Sequence, residues 1–128
     1  MAGAPFHAHI YYAAGERAAA GTLREVFAAK AGGGEAAVLF VGRMTDGPVG
    51  PHPLAQFEIH FHDAALDEIV AAIEGSGLRA LVHPLTHDDL ADHSSLARWI
   101  GEPVALDLAA LDPPGVNQGV ARFGKTDF

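Results

Sequence analysis

The 128-residue sequence contains no cysteine. This absence excludes disulfides, thiolate zinc sites, iron–sulfur clusters and a cysteine nucleophile, so any metal site must use histidine, aspartate or glutamate. Basic residues are also few, with 8 Lys and Arg against 16 Asp and Glu and a formal net charge of −8. Because proteins that bind nucleic acid need clustered cations to displace counterions, this balance predicts no nucleic-acid partner.

Long apolar runs are absent as well, and none approaches the roughly 20 residues that span a bilayer. We therefore expect no membrane partner. The first residues, MAGAPFHAHI, lack the basic and apolar regions of a secretory signal, and together with the missing cysteine this predicts a cytoplasmic protein. Hydrophobic residues make up 49% and charged residues 19%, which is typical of a globular protein. The length favours a single domain over residues 1–128.

Hydrophobic periodicity predicts the order β-α-β-β-α-β, followed by a further helix and a short strand. The predicted strands cover residues 6–12, 36–42, 54–62, 78–83 and 103–108. The predicted helices cover residues 16–30, 64–74 and 87–100. Turn-forming residues dominate from Leu111 onward, so we expect a core over about 6–111 and a loop-rich tail over 112–128.

Two βαβ halves in this order predict an α+β fold of the ferredoxin-like type, a sandwich with helices on one face of an antiparallel sheet. Each predicted strand has one apolar face for the helices. Tyr11 and Leu81 fall on the opposite face, which a second subunit or the C-terminal segment must partly cover. We therefore expect a homodimer of the dimeric α+β barrel-like kind.

Histidine is the unusual residue, with 8 copies against 8 Lys and Arg together. His7 and His9 share one face of the first strand, roughly 6.5–7 Å apart, and imidazoles at this spacing can converge on one metal. In the ferredoxin-like order the first strand lies between the third and the fourth. His83 on the fourth strand and Glu58 on the third would then join the pair. His52, in a Gly/Pro-rich loop, could fold over the edge of the same site.

Simpler interpretations of the histidines stay open. An HxH pair on an exposed sheet face is often only solvated. His60 and His62 are expected to face solvent or a dimer partner, and His87 is expected at the surface. His93 falls on the apolar stripe of the last helix, so it is either a core histidine or a base or substrate ligand at the site.

Four separated motifs carry a family resemblance. They are FHAHIYY at 6–12, GPHP at 50–53, FEIHF at 57–61 and LVHPLTHDDLADHSSLARWIG at 81–101. In content and order they resemble the DOPA 4,5-dioxygenase family of fungi and bacteria, over roughly residues 6–111. The resemblance implies a ferredoxin-like fold, a dimer, and extradiol cleavage of a catechol ring by iron(II) and dioxygen. DOPA would be opened to a muconic semialdehyde.

The resemblance also carries the family's histidine positions onto this chain. They fall on His7, His9, His52, His83 and His93. Division of these histidines into roles is our own inference. Three protein ligands leave coordination positions open for catechol and dioxygen, and because of the family resemblance we assign His7, His9 and His83 as these ligands. Most such iron sites use two histidines and a carboxylate, which keeps Glu58 as a second choice.

The two remaining histidines are assigned to proton transfer. A catechol binds a metal best when deprotonated, so a nearby base is useful. Imidazole titrates near pH 6.5, which suits proton exchange at neutral pH. We therefore assign His52 and His93 as catalytic residues.

Four further residues are candidates for substrate binding. Tyr11 shares the face of the HxH pair, where it either donates to a substrate oxygen or contacts a second subunit. Arg43 or Arg98 could hold a substrate carboxylate, although a surface role fits each. His87 stands where the family usually has glycine, so its imidazole would narrow the pocket or add a proton donor.

The leading functional prediction is an iron(II)-dependent extradiol dioxygenase that acts on a small catechol and O2. A divalent metal such as zinc can occupy such a site in isolated protein. The alternative is a non-catalytic ferredoxin-like module that binds a small aromatic ligand or a metal. A third possibility is a dimeric αβ-barrel monooxygenase, which would insert oxygen without opening the ring.

Overall fold

A computed structural model of the chain describes residues 3–31 and 37–126. Within these residues the fold is mixed α/β, with a five-stranded antiparallel sheet and four α-helices. The strands are β1 (Pro5–Tyr11), β2 (Phe40–Val41), β3 (Gln56–His62), β4 (Ala80–Pro84) and β5 (Arg98–Ile100). The helices are α1 (Arg17–Lys30), α2 (Leu66–Ser76), α3 (Asp89–Asp92) and α4 (Gln118–Arg122).

The sheet order is β2-β3-β1-β4-β5, so β1 lies between β3 and β4. This confirms the neighbours that the sequence predicted for the first strand. The register places His7 opposite His60 on β3 and opposite His83 on β4. His9 stands opposite Glu58 on β3. Because alternate residues of a strand share a face, the register gathers these side chains on one face of the sheet.

The other face of the sheet carries the main core. Helices α1 and α2 pack there through apolar residues at helical spacing. Their buried members are Ala20, Leu23 and Phe27 of α1 and Ile69, Val70 and Ile73 of α2. The buried strand residues of the same cluster include Ala8, Ile10, Phe57, Ile59, Phe61, Ala80 and Val82. Helix α2 ends at Gly77, whose φ of 77° lies in the left-handed region that favours glycine.

A second apolar cluster lies on the opposite face. Tyr11 and Leu81 are buried there against Val104, with Trp99 and Leu106 packed beside them. Residues from the C-terminal half of the chain thus cover part of this face. The sequence analysis expected either a second subunit or the C-terminal segment to do so. Within the described residues, no helix combines the length and the apolar character that crossing a membrane requires.

The predicted helix over 87–100 is wrong for most of its length. Only α3 is α-helical, and residues 98–100 form β5 beside β4. Ser94 explains why α3 ends early. Its Oγ donates to the Leu90 carbonyl at 2.6 Å, and serine hydroxyls that bond to the backbone in this way compete with helix formation. Trp99 and Ile100 then pair with Leu81 and Ala80, where aromatic and β-branched side chains suit a pleated surface.

The structure also differs from the prediction at two other predicted strands. The strand predicted over 36–42 is reduced to β2, and residue 36 lies outside the described residues. The strand predicted over 103–108 is wrong, since no strand is assigned there among the described residues. Its alternation arises because Val104 and Leu106 pack on the second apolar cluster. Asp107 instead donates its N–H to the Pro51 carbonyl at 2.8 Å.

The tail predicted as loop contains α4 and is tied to the rest of the chain. Asn117 caps α4 by accepting a hydrogen bond from the Gly119 N–H at 3.0 Å. Its side-chain amide donates to the Thr86 carbonyl at 2.8 Å and to the Asp92 carboxylate at 3.1 Å. Sequence periodicity missed this element because five helical residues are too few to show a repeat. Residues 127 and 128 of the predicted tail lie outside the described residues.

Asp92 joins three parts of this region. Its fully buried carboxylate accepts hydrogen bonds from the Thr86 N–H at 2.9 Å, from the Thr86 hydroxyl at 2.7 Å and from Asn117. Buried polar groups left without partners are costly. Asp92 therefore holds the loop after β4 and the segment before α4 around the end of α3, where His93 follows.

We expect Asp92→Ala to lower the free energy of unfolding by roughly 3 kcal/mol, because it leaves several buried donors unsatisfied. Urea unfolding followed by circular dichroism measures this. Glu25→Ala, at an exposed position of α1, is the matched control and should change stability by less than about 0.5 kcal/mol. Equal stability of the two variants would contradict this role for Asp92.

Candidate metal centre

One buried region of the sheet face opposite α1 and α2 collects most of the histidines. Its polar members are His7, His9, His52, Glu58, His60, His83 and His93. A cavity of about 140 Å³ opens among them. Its walls include His7, His9, Glu58, His83 and His93. The sequence-predicted metal and catalytic histidines are therefore brought together.

His83 and His9 present their Nε2 atoms to each other. His83 Nδ1 lies 2.8 Å from the Pro84 carbonyl, which can only accept, so Nδ1 carries the proton. His9 Nδ1 lies 3.1 Å from Gln56 Oε1, another acceptor. Both Nε2 atoms are then unprotonated, each with a lone pair, and the two nitrogens lie only 3.0 Å apart. A cation bound by both nitrogens makes this contact favourable.

His7 completes the group through a chain of hydrogen bonds. The Gly124 N–H donates to His60 Nδ1 at 2.9 Å, so the His60 proton is on Nε2, which donates to Glu58 Oε2 at 2.9 Å. The same carboxylate oxygen lies 3.3 Å from His7 Nδ1. His7 Nε2 is buried without a hydrogen-bond partner among the described residues. Carboxylate–histidine pairs of this kind orient metal ligands. We call this chain, from Gly124 to His7, the Glu58 relay.

The Glu58 relay corrects one sequence expectation. His60 was expected to face solvent or a partner, but its side chain has no exposed surface and it stacks on His7 with ring centroids 3.9 Å apart. The cause is the C-terminal segment, whose Gly124 and Phe123 cover this ring. A ring nitrogen of His60 also lies within 4.8 Å of the possible donor atoms of His7 and Glu58. Both of its ring nitrogens are already used, so it supports the site and is not a ligand.

The donor atoms of His7, His9 and His83 all lie within 4.8 Å of one another. Neutral imidazole nitrogen suits zinc, copper, iron and nickel. The lone-pair contact between His9 and His83 and the buried Nε2 of His7 fit a bound divalent cation. Glu58 also lines the cavity and its Oε1 is buried, which keeps this carboxylate within reach of the same site.

His93 and His52 form a second group with His9, within the same 4.8 Å limit. His93 Nδ1 lies 2.8 Å from the Asp89 carbonyl, so its Nε2 is a lone pair. His52 Nδ1 lies 2.7 Å from the Tyr11 hydroxyl. Burial raises the pKa of Tyr11, so the phenol stays protonated and can donate to Nδ1. In that arrangement His52 carries its proton on Nε2.

A tight turn places His52. Val49 and His52 exchange two backbone hydrogen bonds, of 3.0 and 2.9 Å. Gly50 between them has a φ of 53°, in the region that favours glycine. The GPHP motif thus turns the chain back on itself, and the His52 ring lies against His9 with ring centroids 4.1 Å apart.

Burial keeps four of the imidazoles, those of His7, His9, His52 and His83, neutral. Burial, reinforced by neighbouring histidines, holds the pKa values of His7 and His9 well below 6.5. Burial, together with a smaller contribution from His93, lowers the pKa of His52 and of His83 to about 3. At neutral pH the rings are therefore unprotonated, which is the state that binds a metal.

The four predicted substrate-binding residues lie apart from the cavity walls. One of them, Arg98, is exposed at the start of β5. Tyr11 is buried beneath His52 and stacks near Trp99, with ring centroids 6.3 Å apart. Arg43 and His87 are exposed, and neither lines the cavity.

Sequence reasoning missed other residues of the site. They are Gln56, His60, Asp89, Asp112, Asn117, Gly119 and Arg122. For Gln56 and His60, strand alternation with Glu58 was the available signal. The members beyond residue 111 lie in a segment with no hydrophobic periodicity, so no local signal marked them.

We expect the metal-free protein to lose stability as the pH falls from 7 to 5. Because their pKa values are lowered in the fold, His7, His9, His52 and His83 stay neutral there, whereas in the unfolded chain they take up protons below about pH 6.5. The stabilisation is fully present above that pH and is lost toward the folded pKa, which is about 3 for His52 and His83. Each such histidine contributes about 1.4 kcal/mol per pH unit.

Urea unfolding between pH 8 and pH 5, in the presence of a chelator, measures this slope. His83→Gln should make the slope shallower. His87→Gln, which removes an exposed ring, should keep the wild-type slope. Stability that does not change over this range would contradict neutral burial of the cluster.

We expect Glu58→Gln to weaken metal binding by about 10–100-fold, because the amide no longer provides the charged acceptor for His7 and His60. Competition with a chromophoric chelator measures the affinity for Zn²⁺ and Fe²⁺. Glu74→Gln, at an exposed position of α2, is the control and should bind as the wild type does. Unchanged affinity in Glu58→Gln would remove the Glu58 relay from the metal site.

Comparison with known proteins assigns a family to this site. Residues 6–110 match the sequence model of the Dopa 4,5-dioxygenase family. A DOPA 4,5-dioxygenase from Amanita muscaria is 32% identical over 111 residues, covering 83% of this chain and 49% of that protein. An uncharacterized 21.2 kDa protein from Botryotinia fuckeliana is 35% identical over 83 residues, covering 57% of this chain and 45% of that protein. The chain spans about half the length of these curated relatives.

A solved structure shares the fold. The crystal structure of a candidate dioxygenase from Nostoc punctiforme matches with a TM-score of 0.74 at 35% identity, covering 84% of this chain and 90% of that one. The family match spans nearly all of β1 and continues through β5. It includes every histidine that the sequence assigned to metal binding or proton transfer. The chain therefore belongs to the Dopa 4,5-dioxygenase family.

Proposed function

We propose that the protein is an iron(II)-dependent extradiol dioxygenase that opens the ring of a small catechol, such as DOPA, with O2 to a muconic semialdehyde. The observation that supports this best is the convergence of His7, His9 and His83 on one buried cavity with their Nε2 lone pairs inward. Family membership supports a dioxygenase. The likeness to the Nostoc punctiforme protein supports the same class.

In this proposal His7, His9 and His83 hold the metal. Iron(II), when bound, supplies Lewis acidity and open coordination positions for the catechol oxygens and dioxygen. The residues around it fix the ligand rings: Glu58 orients His7, and the Pro84 carbonyl orients His83. A divalent metal such as zinc can fill the same three-histidine set in isolated protein.

His93 is the proposed base. Its Nε2 lone pair can accept the proton of a catechol hydroxyl, and the Nδ1–H on the other side is held by the Asp89 carbonyl. Burial alone would raise the pKa of Asp89, but hydrogen bonds from His93 and the Asp112 N–H bring it below its usual value. Its carboxylate therefore stays charged 3.3 Å from His93 Nδ1 and stabilises the protonated ring.

His52 is the proposed proton donor. With the Tyr11 hydroxyl donating to Nδ1, the remaining proton of His52 is on Nε2, on the same side of the ring cluster as His9 and His93. A donor there can hydrogen-bond to negative charge that develops on a substrate oxygen. Tyr11 then acts through His52 as a positioning residue. This replaces the direct substrate contact that the sequence predicted for Tyr11.

The assembly belongs to the proposal as well. The order β2-β3-β1-β4, with two helices on one face, supports describing the core as a single ferredoxin-like domain. A homodimer follows from the family resemblance, and light scattering at micromolar concentration tests it.

We expect metal-stripped protein to recover catechol-dependent oxygen uptake when iron(II) is added anaerobically before oxygen. His9→Ala and His83→Ala should lose both metal and activity. His93→Gln should keep its metal while kcat falls by about 10²–10⁴-fold, because it removes a proton acceptor and not a ligand. His62→Gln, a half-buried histidine of the same strand as Glu58, is the control and should retain the wild-type rate.

Labelled oxygen separates this proposal from its alternatives. A dioxygenase places both atoms of ¹⁸O2 in a ring-opened product, whereas a monooxygenase places one in a product with an intact ring. An iron-loaded protein that consumes no oxygen with any catechol would contradict the proposal. It would leave a module that binds a metal or a small aromatic ligand.

A further inference from the structure

The segment over residues 111–126 forms one wall of the cavity, although it lies beyond the residues matched to the family. Its helix α4 borders a proposed metal ligand directly. The Phe123 ring stacks near His7 with centroids 6.4 Å apart. A Cβ added to Gly119 would come within 4.0 Å of His7 Cε1. The side chains of this wall are therefore close to any molecule held beside His7.

Arg122 brings a cation to this wall. It is half-buried and lines the same cavity as His7, Glu58 and His83. Among the Lys and Arg side chains of the described residues, Arg122 is the one that lines the cavity. Burial and the neighbouring imidazoles are the main causes of the lowered pKa of His7, and the charge of Arg122 lowers it further.

The acidic side chains of the cavity are engaged within the fold. Glu58 belongs to the relay that holds His7. Asp89 accepts a hydrogen bond from the Asp112 N–H at 2.9 Å. Asp112 accepts from the Gln118 N–H at 2.8 Å and from its side-chain amide at 3.2 Å. Burial keeps the pKa of His7, His9 and His83 low, so these cavity rings are neutral at pH 7, and Arg122 is the Lys or Arg side chain that lines the cavity among the described residues.

We propose that the Arg122 guanidinium binds a carboxylate group of the substrate, so that the cavity selects catechols with an acidic side chain over neutral and cationic ones. This inference rests on the proposed ring-opening function for the catechol end of the substrate. Guanidinium can bind a carboxylate with two parallel hydrogen bonds, which adds orientation to affinity. The protein carries a net charge of −8, so an anion needs such a local cation in order to bind.

This assignment changes the sequence prediction for the carboxylate-binding residue. Arg43 and Arg98 were the predicted candidates, but both are exposed and neither lines the cavity. Arg122 takes that role because α4 brings it beside His7. The proposed ligand spans the cavity, with its ring oxygens toward the three-histidine group and its carboxylate toward α4.

The first test compares two substrates of the iron-loaded enzyme, 3-(3,4-dihydroxyphenyl)propionate and the neutral 4-methylcatechol. Arg122→Met should lower kcat/KM for the acid by about tenfold or more and leave that for 4-methylcatechol within about twofold. Arg122→Lys, which keeps the charge, should recover part of the loss. Lys125→Met removes an exposed cation of the same segment and should change neither value. An equal effect of Arg122→Met on both substrates would overturn the inference.

The second test measures binding without turnover, which separates this inference from the proposed function. Calorimetry under anaerobic conditions compares two non-catechol phenols, 3-(4-hydroxyphenyl)propionate and 4-ethylphenol. We expect the wild-type protein to bind the acid about tenfold more tightly. Equal affinities in the wild type would overturn the inference without any variant. If no catechol is opened but the acid is still preferred, the proposed function fails and the assignment of Arg122 stands.

Discussion

The site depends on which nitrogen of each imidazole carries the proton. In His83 and His93, a backbone carbonyl next to Nδ1 can only accept, so the proton is fixed there and Nε2 is left as a lone pair. In His7 the Glu58 carboxylate has the same effect. Of these three, His7 Nε2 is buried without a hydrogen-bond partner among the described residues, and burying such a group costs about 1–3 kcal/mol. A cation bound at this nitrogen would offset that cost.

The sheet makes this arrangement possible because β1 is central and alternates. Its apolar residues, such as Ala8 and Ile10, face α1 and α2 and supply core stability. The residues that alternate with them, His7 and His9, point to the other face, where partners from β3 and β4 stand in register. One strand thus contributes to the core and to the site at once. A slip of one residue would reverse both faces, so packing of the core also fixes the ligand positions.

This division explains how much the sequence could predict. Strand alternation is local, and the order of four strands follows from their connections, so the meeting of His7, His9 and His83 was predictable. The burial of His60 was not, because it depends on a covering segment that has no periodic pattern. The prediction of a helix over 87–100 was wrong for a similar reason. The pairing of Trp99 with Leu81 on β4 joins residues far apart in the sequence, and the local spacing of apolar residues cannot predict such a contact.

The C-terminal segment separates two properties of the site. Residues 6–110 match the family and contain the three proposed ligands, His52 and His93. The wall that contains Arg122 lies outside that match, yet Gly124 and Asn117 bind it to the Glu58 relay and to Asp92. The curated relatives are about twice as long as the matched part, so their sequences beyond the shared core are free to differ. In such an arrangement the proposed metal centre would stay in the shared core, while the separate segment would determine which substrate side chains the cavity accepts.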